Sequence, residues 1–184
     1  MNVNLILPKD LVPIGPDDKV FFLVGPIRGG ANWQEEAINL LSEKVPTSFV
    51  ACPRSYPPDH PFNKTALIGD GERFPDNNSW ERHYRAIARR QGAVICWLPK
   101  EDPEDPRDPK TGPYGRDTYG ELGEERVYAE HDPHARVVFG GEPGFSGLRI
   151  IEKNGRATLG ARFFLHLSLK ETVDAAVALV NGKR

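Results

Sequence analysis

The chain is poor in the features that usually give a function away. Charge of either sign is not in excess: 24 Lys and Arg against 26 Asp and Glu leave a formal net charge of −2. That excludes the global basic field by which a nucleic-acid polymer is bound, though not a local site for a small anion. Cysteine is scarce. The two present, Cys52 and Cys96, each sit inside an apolar segment, which argues for buried thiols in a reducing compartment rather than a disulfide framework. A catalytic thiol would need a basic neighbourhood, and neither has one in its local sequence. Long apolar runs are missing, as is a charged opening segment followed by an apolar one. The chain therefore reads as cytoplasmic, with no membrane partner. No HxxxH, CxxC or carboxylate cluster has metal-ligand spacing, so neither a metal nor a cofactor is expected. A Ser/His/Asp triad stays open on composition, with no GxSxG elbow to support it.

What is present is an alternation. At 184 residues, 39% apolar and 27% charged, the chain has the length and composition of one globular domain, residues 1–184. Prolines 8, 13 and 16 break the first 18 residues into an irregular arm or edge strand. Val20 to Val24 is a continuous apolar run, as in a strand covered on both faces. Asn32 with Glu35 forms a capping box for a helix over Trp33 to Leu41. Further strands are predicted at Ser48–Cys52, Ala93–Leu98, Arg136–Phe139 and Arg162–Leu167. Further helices are predicted at Trp80–Arg90 capped by Ser79, at Thr118–Ala129, at Phe145–Lys153 and at Leu169–Val180 capped by Ser168. Two connections stand out as long, polar and proline-rich, 53–78 and 99–117. In the first only Thr65–Ile68 is apolar enough for a turn of structure. This order implies a parallel sheet with right-handed crossovers, and the long loops leave it at the carboxyl ends of the strands, where ligands bind.

Three motifs bear on chemistry. GPIRGG, Gly25 to Gly30, lacks the lysine and spacing of a phosphate loop and does not fit GxGxxG. It is a sharp glycine-bearing turn with one arginine, Arg28, and its amides open a helix where an anion or an oxygen-rich ligand is favoured. A plain connection with a solvated arginine fits it as well. GRDTYGELGEE, Gly115 to Glu125, sets Glu121 near a helix start, where amides would keep it ionised as a nucleophile. An ordinary acidic first turn reads the same way. WERHY, Trp80 to Tyr84, places Glu81 at the start of another helix. Its aromatics, with Trp97, are flat surfaces for a base or simply core, and His83 reads as a surface residue.

In order along residues ~20–140, the segments VFFLVGPIRGGANWQEEAINLL, ACPR, WERHY, AVICWLP and TYGELGEE resemble the nucleoside 2-deoxyribosyltransferase superfamily, nearest to its deoxyribosyltransferase-like branch. GPIRGG also resembles the GSIRGG turn of the 2'-deoxynucleoside 5'-phosphate N-hydrolases, a sister group. The resemblance implies an α/β, flavodoxin-like three-layer sandwich around a central five-stranded parallel sheet. It implies an enzyme that cleaves or transfers the N-glycosidic bond of a small nucleoside or nucleotide, working as a homodimer or larger. Glu121 takes the place of the nucleophile and Glu81 that of the acid. A retaining pair of this kind stands roughly 5–5.5 Å apart. Glu121 is then expected with a low pKa and Glu81 with a raised one. Gly25, Pro26, Ile27, Arg28 and Gly29 would wall the sugar pocket, Trp80 and Tyr84 would stack the base, and Asp117, Tyr119 and Gly120 would flank the nucleophile. Pro26 and Gly115 stand where the sister group has serines for a 5'-phosphate, which leaves that contact to Arg28 or Arg116. The 99–117 loop is expected to act as a lid. A nucleotide- or nucleotide-sugar-binding module without turnover is the alternative on the same fold. A flavodoxin-like electron carrier would need a Ser/Thr-rich phosphate loop that is missing here.

Overall fold

The computed structural model describes residues 2–69 and 71–182, so the expected domain bounds, 1 and 184, lie outside the described residues. Its strands are β1 (Asn4–Ile6), β2 (Val20–Val24), β3 (Phe49–Ala51), β4 (Ala93–Leu98), β5 (Val137–Gly141) and β6 (Leu165–His166). Its helices are α1 (Trp33–Lys44), α2 (Pro61–Thr65), α3 (Asn77–Gln91), α4 (Arg116–His131), α5 (Leu148–Leu159) and α6 (Leu169–Val180). All strand pairs are parallel, in the order β1-β3-β2-β4-β5-β6. Without β1 this is the flavodoxin-like order. The sheet has six strands rather than the five expected. The extra one comes from the proline-broken arm, where Leu5 and Ile6 pair with Val50 and Ala51. Three residues are too few to show an alternation in sequence, yet enough to extend a sheet edge.

Each central strand is buried throughout and divides its side chains between two cores. Phe21, Leu23, Ile95 and Trp97 face the layer of α1 and α6. Phe22, Val24, Cys96 and Leu98 face the layer of α3, α4 and α5. A sheet covered on both sides selects continuous apolar strands, which is why β2 and β4 coincide with their sequence-based bounds.

Helix starts depart more. Asn32 does not cap α1 through its side chain; its amide bonds the Glu35 carboxylate instead. Asp76, not Ser79, caps α3, its Oδ1 accepting the Ser79 amide at 2.7 Å. A short α2 replaces the turn expected at 65–68, fixed by Pro61 at its start, the His60 ring accepting from the Phe62 amide and the buried Phe62 ring. Helix α5 starts at Leu148 rather than Phe145. Ser168 caps α6 as expected. Among the described residues no helix is long and apolar enough to cross a membrane.

Candidate active site

In the strand order, the chain leaves β2 to one side for β3 and then returns to the other side for β4, so a crevice opens beyond the carboxyl ends of these strands. A cleft of about 700 Å³ occupies it. The turn after β2 forms one wall with Gly25, Pro26, Ile27 and Arg28, and Pro53 and Ser55 after β3 extend it. The first half of α3 and the start of α4 form the opposite wall, and Arg107 reaches in from the 99–115 loop.

The turn is braced from outside the cleft. The Pro26 carbonyl accepts from the Trp33 indole at 2.8 Å and from the Gln34 amide at 3.2 Å. Arg54 donates to the Ile27 carbonyl at 3.0 Å, and Asp102 donates its amide to Gly29 at 2.8 Å. Gly30 also bridges Glu101. The glycines make this packing possible. A Cβ on Gly25 would lie 2.1 Å from the Trp97 carbonyl oxygen, and one on Gly29, at φ +78°, would lie 2.6 Å from the Arg107 amide. The 99–115 loop is therefore seated on the turn. Arg107 ties the loop to itself and to α4, its amide bonding Glu101 and its guanidinium bonding Thr111 and lying 3.7 Å from Asp117.

On the opposite wall two carboxylates converge. Glu81 comes from the second turn of α3 and Glu121 from the second turn of α4. Burial pushes the Glu121 carboxyl up to about 7; the Glu81 charge adds to the rise, Arg85 opposes it, and Glu124 and Glu125 add smaller pushes. Glu81 is raised too, by burial first, with Arg85 opposing. The expected split, Glu121 low and Glu81 high, is thus not what the site shows. Helix α4 starts at Arg116, so Glu121 lies beyond the free amides of the first turn and gains a like-charged neighbour instead of helix-end stabilisation.

Behind this pair stands a seam of buried charge. Arg85 lies 2.8 Å from Glu124 and 3.4 Å from Glu125, and Arg89 lies 2.6 Å from Glu125. The Glu125 side chain is fully buried and that of Arg85 is 5% exposed. No family model matches the chain, and no curated protein matches it. The site is therefore read on its own geometry.

Of the residues anticipated from sequence, Glu81, Glu121, Gly25, Pro26, Ile27, Arg28, Asp117 and Gly120 line one cleft. Gly29 lies buried beneath the Arg107 loop. Trp80 and Tyr84 do not reach the cleft. Both are fully buried, Trp80 packed against Phe22 and Tyr84 accepting the Val12 amide at 2.8 Å, so neither has a free face for a base. Trp97 is likewise core. Tyr119 turns away and donates to the Ser146 carbonyl between α4 and α5. Arg116 pairs with its neighbour Asp117 outside the lining. Both cysteines are buried and free, with Cys52 raised to about 11 and Cys96 well above the ordinary thiol, in each case chiefly by burial. Sequence reasoning missed Arg54, Arg85 and Arg107. For Arg85 a signal existed: it lies four residues after Glu81, on the same helical face.

Proposed function

We propose that this cleft cleaves or transfers the N-glycosidic bond of a nucleoside or nucleotide through a glycosyl-enzyme intermediate on Glu121. The observation that carries the reading is the pair itself: Glu81 and Glu121, from different helices, line one cleft together with the turn after β2, close enough for one charge to raise the other. Two carboxylates so coupled hold a single proton between them over a window of pH. The reaction uses the form of that state with the charge on Glu121 and the proton on Glu81. Ionised Glu121 attacks the anomeric carbon as the C–N bond breaks. The bonding electrons leave with the base nitrogen, which takes the proton from Glu81. The Glu81 carboxylate then deprotonates water, or a second base enters, and the sugar is released from Glu121.

The order of motifs that resemble those of the deoxyribosyltransferase-like family supports the same assignment. So does the size of the cleft, which falls within the roughly 300–1,000 Å³ usual for small-molecule sites. The test is direct. The protein is incubated with deoxy- and ribonucleosides and their 5'-monophosphates, and free base is followed by chromatography beside the Glu121→Gln variant. Base release by the native protein that vanishes in the variant is the expected result. Release that survives in the variant overturns Glu121 as nucleophile. Binding without release in either points to a nucleotide-binding module.

A further inference from the structure

A shared proton has two places to sit, and only one arrangement is productive in the reading above, with the charge on Glu121 and the proton on Glu81. Something must hold charge on a pair that burial pushes towards neutrality. Around Glu121 the charged groups on α3 are Glu81, Arg82 and Arg85, and those on α4 are Asp117, Glu124 and Glu125. Arg28 faces it from the turn after β2 and Arg107 from the loop after β4, while Cys96 of β4 lies behind it and stays a neutral thiol. Among the four cations Arg85 is distinct. Arg82 is 74% exposed and Arg28 is exposed, so water screens both, and Arg107 is engaged by Thr111 and Asp117. Arg85 is buried, lines the cleft, and is held by Glu124 at the cleft and by the buried Glu125 behind it. Its Nε is buried without a hydrogen-bond partner among the described residues, an arrangement that ion pairing alone does not call for.

We propose that Arg85 is the positioning residue of the carboxylate pair, its held guanidinium keeping one negative charge on the two carboxyls that share the cleft with it. This rests on the N-glycosidic reading for its chemistry, but the electrostatic part stands apart from it. Glu124 and Glu125 fix the guanidinium where a solvated arginine would wander, and Arg89, one turn further along α3, shares Glu125.

The experiment pairs Arg85→Gln with Arg85→Lys, each checked for folding by circular dichroism and thermal melting. Glutamate carboxyls are titrated by ¹³C NMR, with Glu81→Gln and Glu121→Gln used for assignment. Removing the charge is expected to raise the Glu121 midpoint measurably, since a nearby opposite charge favours the ionised carboxyl, and lysine is expected to restore most of it. Base release should shift its pH profile upward by the same amount in Arg85→Gln. A folded Arg85→Gln protein whose carboxyl midpoints match the native ones overturns the proposal, as does a rate loss with no shift in profile. Should Arg85→Gln not fold, lysine decides: midpoints near the native values support the proposal, and midpoints as high as an uncharged neighbour would give overturn it. Absence of base release from every nucleoside tested would remove the N-glycosidic reading, and the titration would still decide whether Arg85 sets the charge of the pair.

Discussion

At the scale of single residues, the cleft is governed by where one proton sits. The doubly ionised pair cannot protonate a leaving base, and the Glu121 carboxyl loses its proton at about 7. Base release is therefore expected to fall as pH rises past about 7, which a pH–rate profile measures directly. Replacing Glu81 by Gln takes away the neighbouring negative charge, so Glu121 should ionise at lower pH while the rate drops for bases that leave poorly. A profile unchanged by Glu81→Gln would show that the two groups are not coupled. The thiols make a simpler case. Cys52 and Cys96 should resist a thiol reagent in the native protein and react only after denaturation, since burial both shields them and holds them protonated. Much at this scale was legible in the sequence. That Glu121, Glu81 and the turn line one cleft could be anticipated because their short motifs fall in order at strand ends and helix starts. The protonation of Glu121 was not legible, because it depends on α4 beginning at Arg116 and on Glu81 arriving from another helix.

Secondary-structure elements meet at two junctions that decide whether the site forms. One is the seam between α3 and α4. Glu125→Ala would strand the buried Arg89 and leave Arg85 with Glu124 alone, an expected loss of about 3–5 kcal/mol in chemical denaturation. The other is the seat of the 99–115 loop. Gly29→Ala places a Cβ against the Arg107 amide at a positive φ, and should lower stability by more than about 1 kcal/mol while loosening the loop to proteolysis. A protease-resistant loop in that variant would show that the seat does not hold it. Strands β2 and β4 could be read from sequence to the residue, because a doubly covered strand leaves an unbroken apolar run. Helix starts could not. Asp76 and Ser79 are both good caps, and only the fold chooses which turns outward to meet an amide.

For the molecule as a whole, the site is a source of instability. A carboxyl that titrates at about 4.5 when unfolded and about 7 when folded makes the native state bind the extra proton. Stability is then lost as pH rises between these values, because the unfolded chain releases its proton first. Glu121→Gln removes that loss. The variant should be inactive and more stable than the native protein at pH 8, on the order of 1–3 kcal/mol, with the advantage shrinking to nothing below about pH 4.5. Melting curves at pH 4 and 8 measure it, and equal stability at both would contradict the raised carboxyl. The overall architecture was legible from the alternation of strands and helices. The sixth strand was legible only as one of two readings of the first 18 residues, an irregular arm or an edge strand, because three residues carry no periodic signal.

The bracing of the turn after β2 has a consequence for how the cleft discriminates. The carbonyls of Pro26, Ile27 and Gly29 are all engaged by Trp33, Gln34, Arg54 and Asp102 before anything enters. A wall whose carbonyls are all held in this way is stiff. Under the proposed reading, a sugar that fits would lose only its own freedom on binding, and one with a misplaced hydroxyl would be refused rather than accommodated.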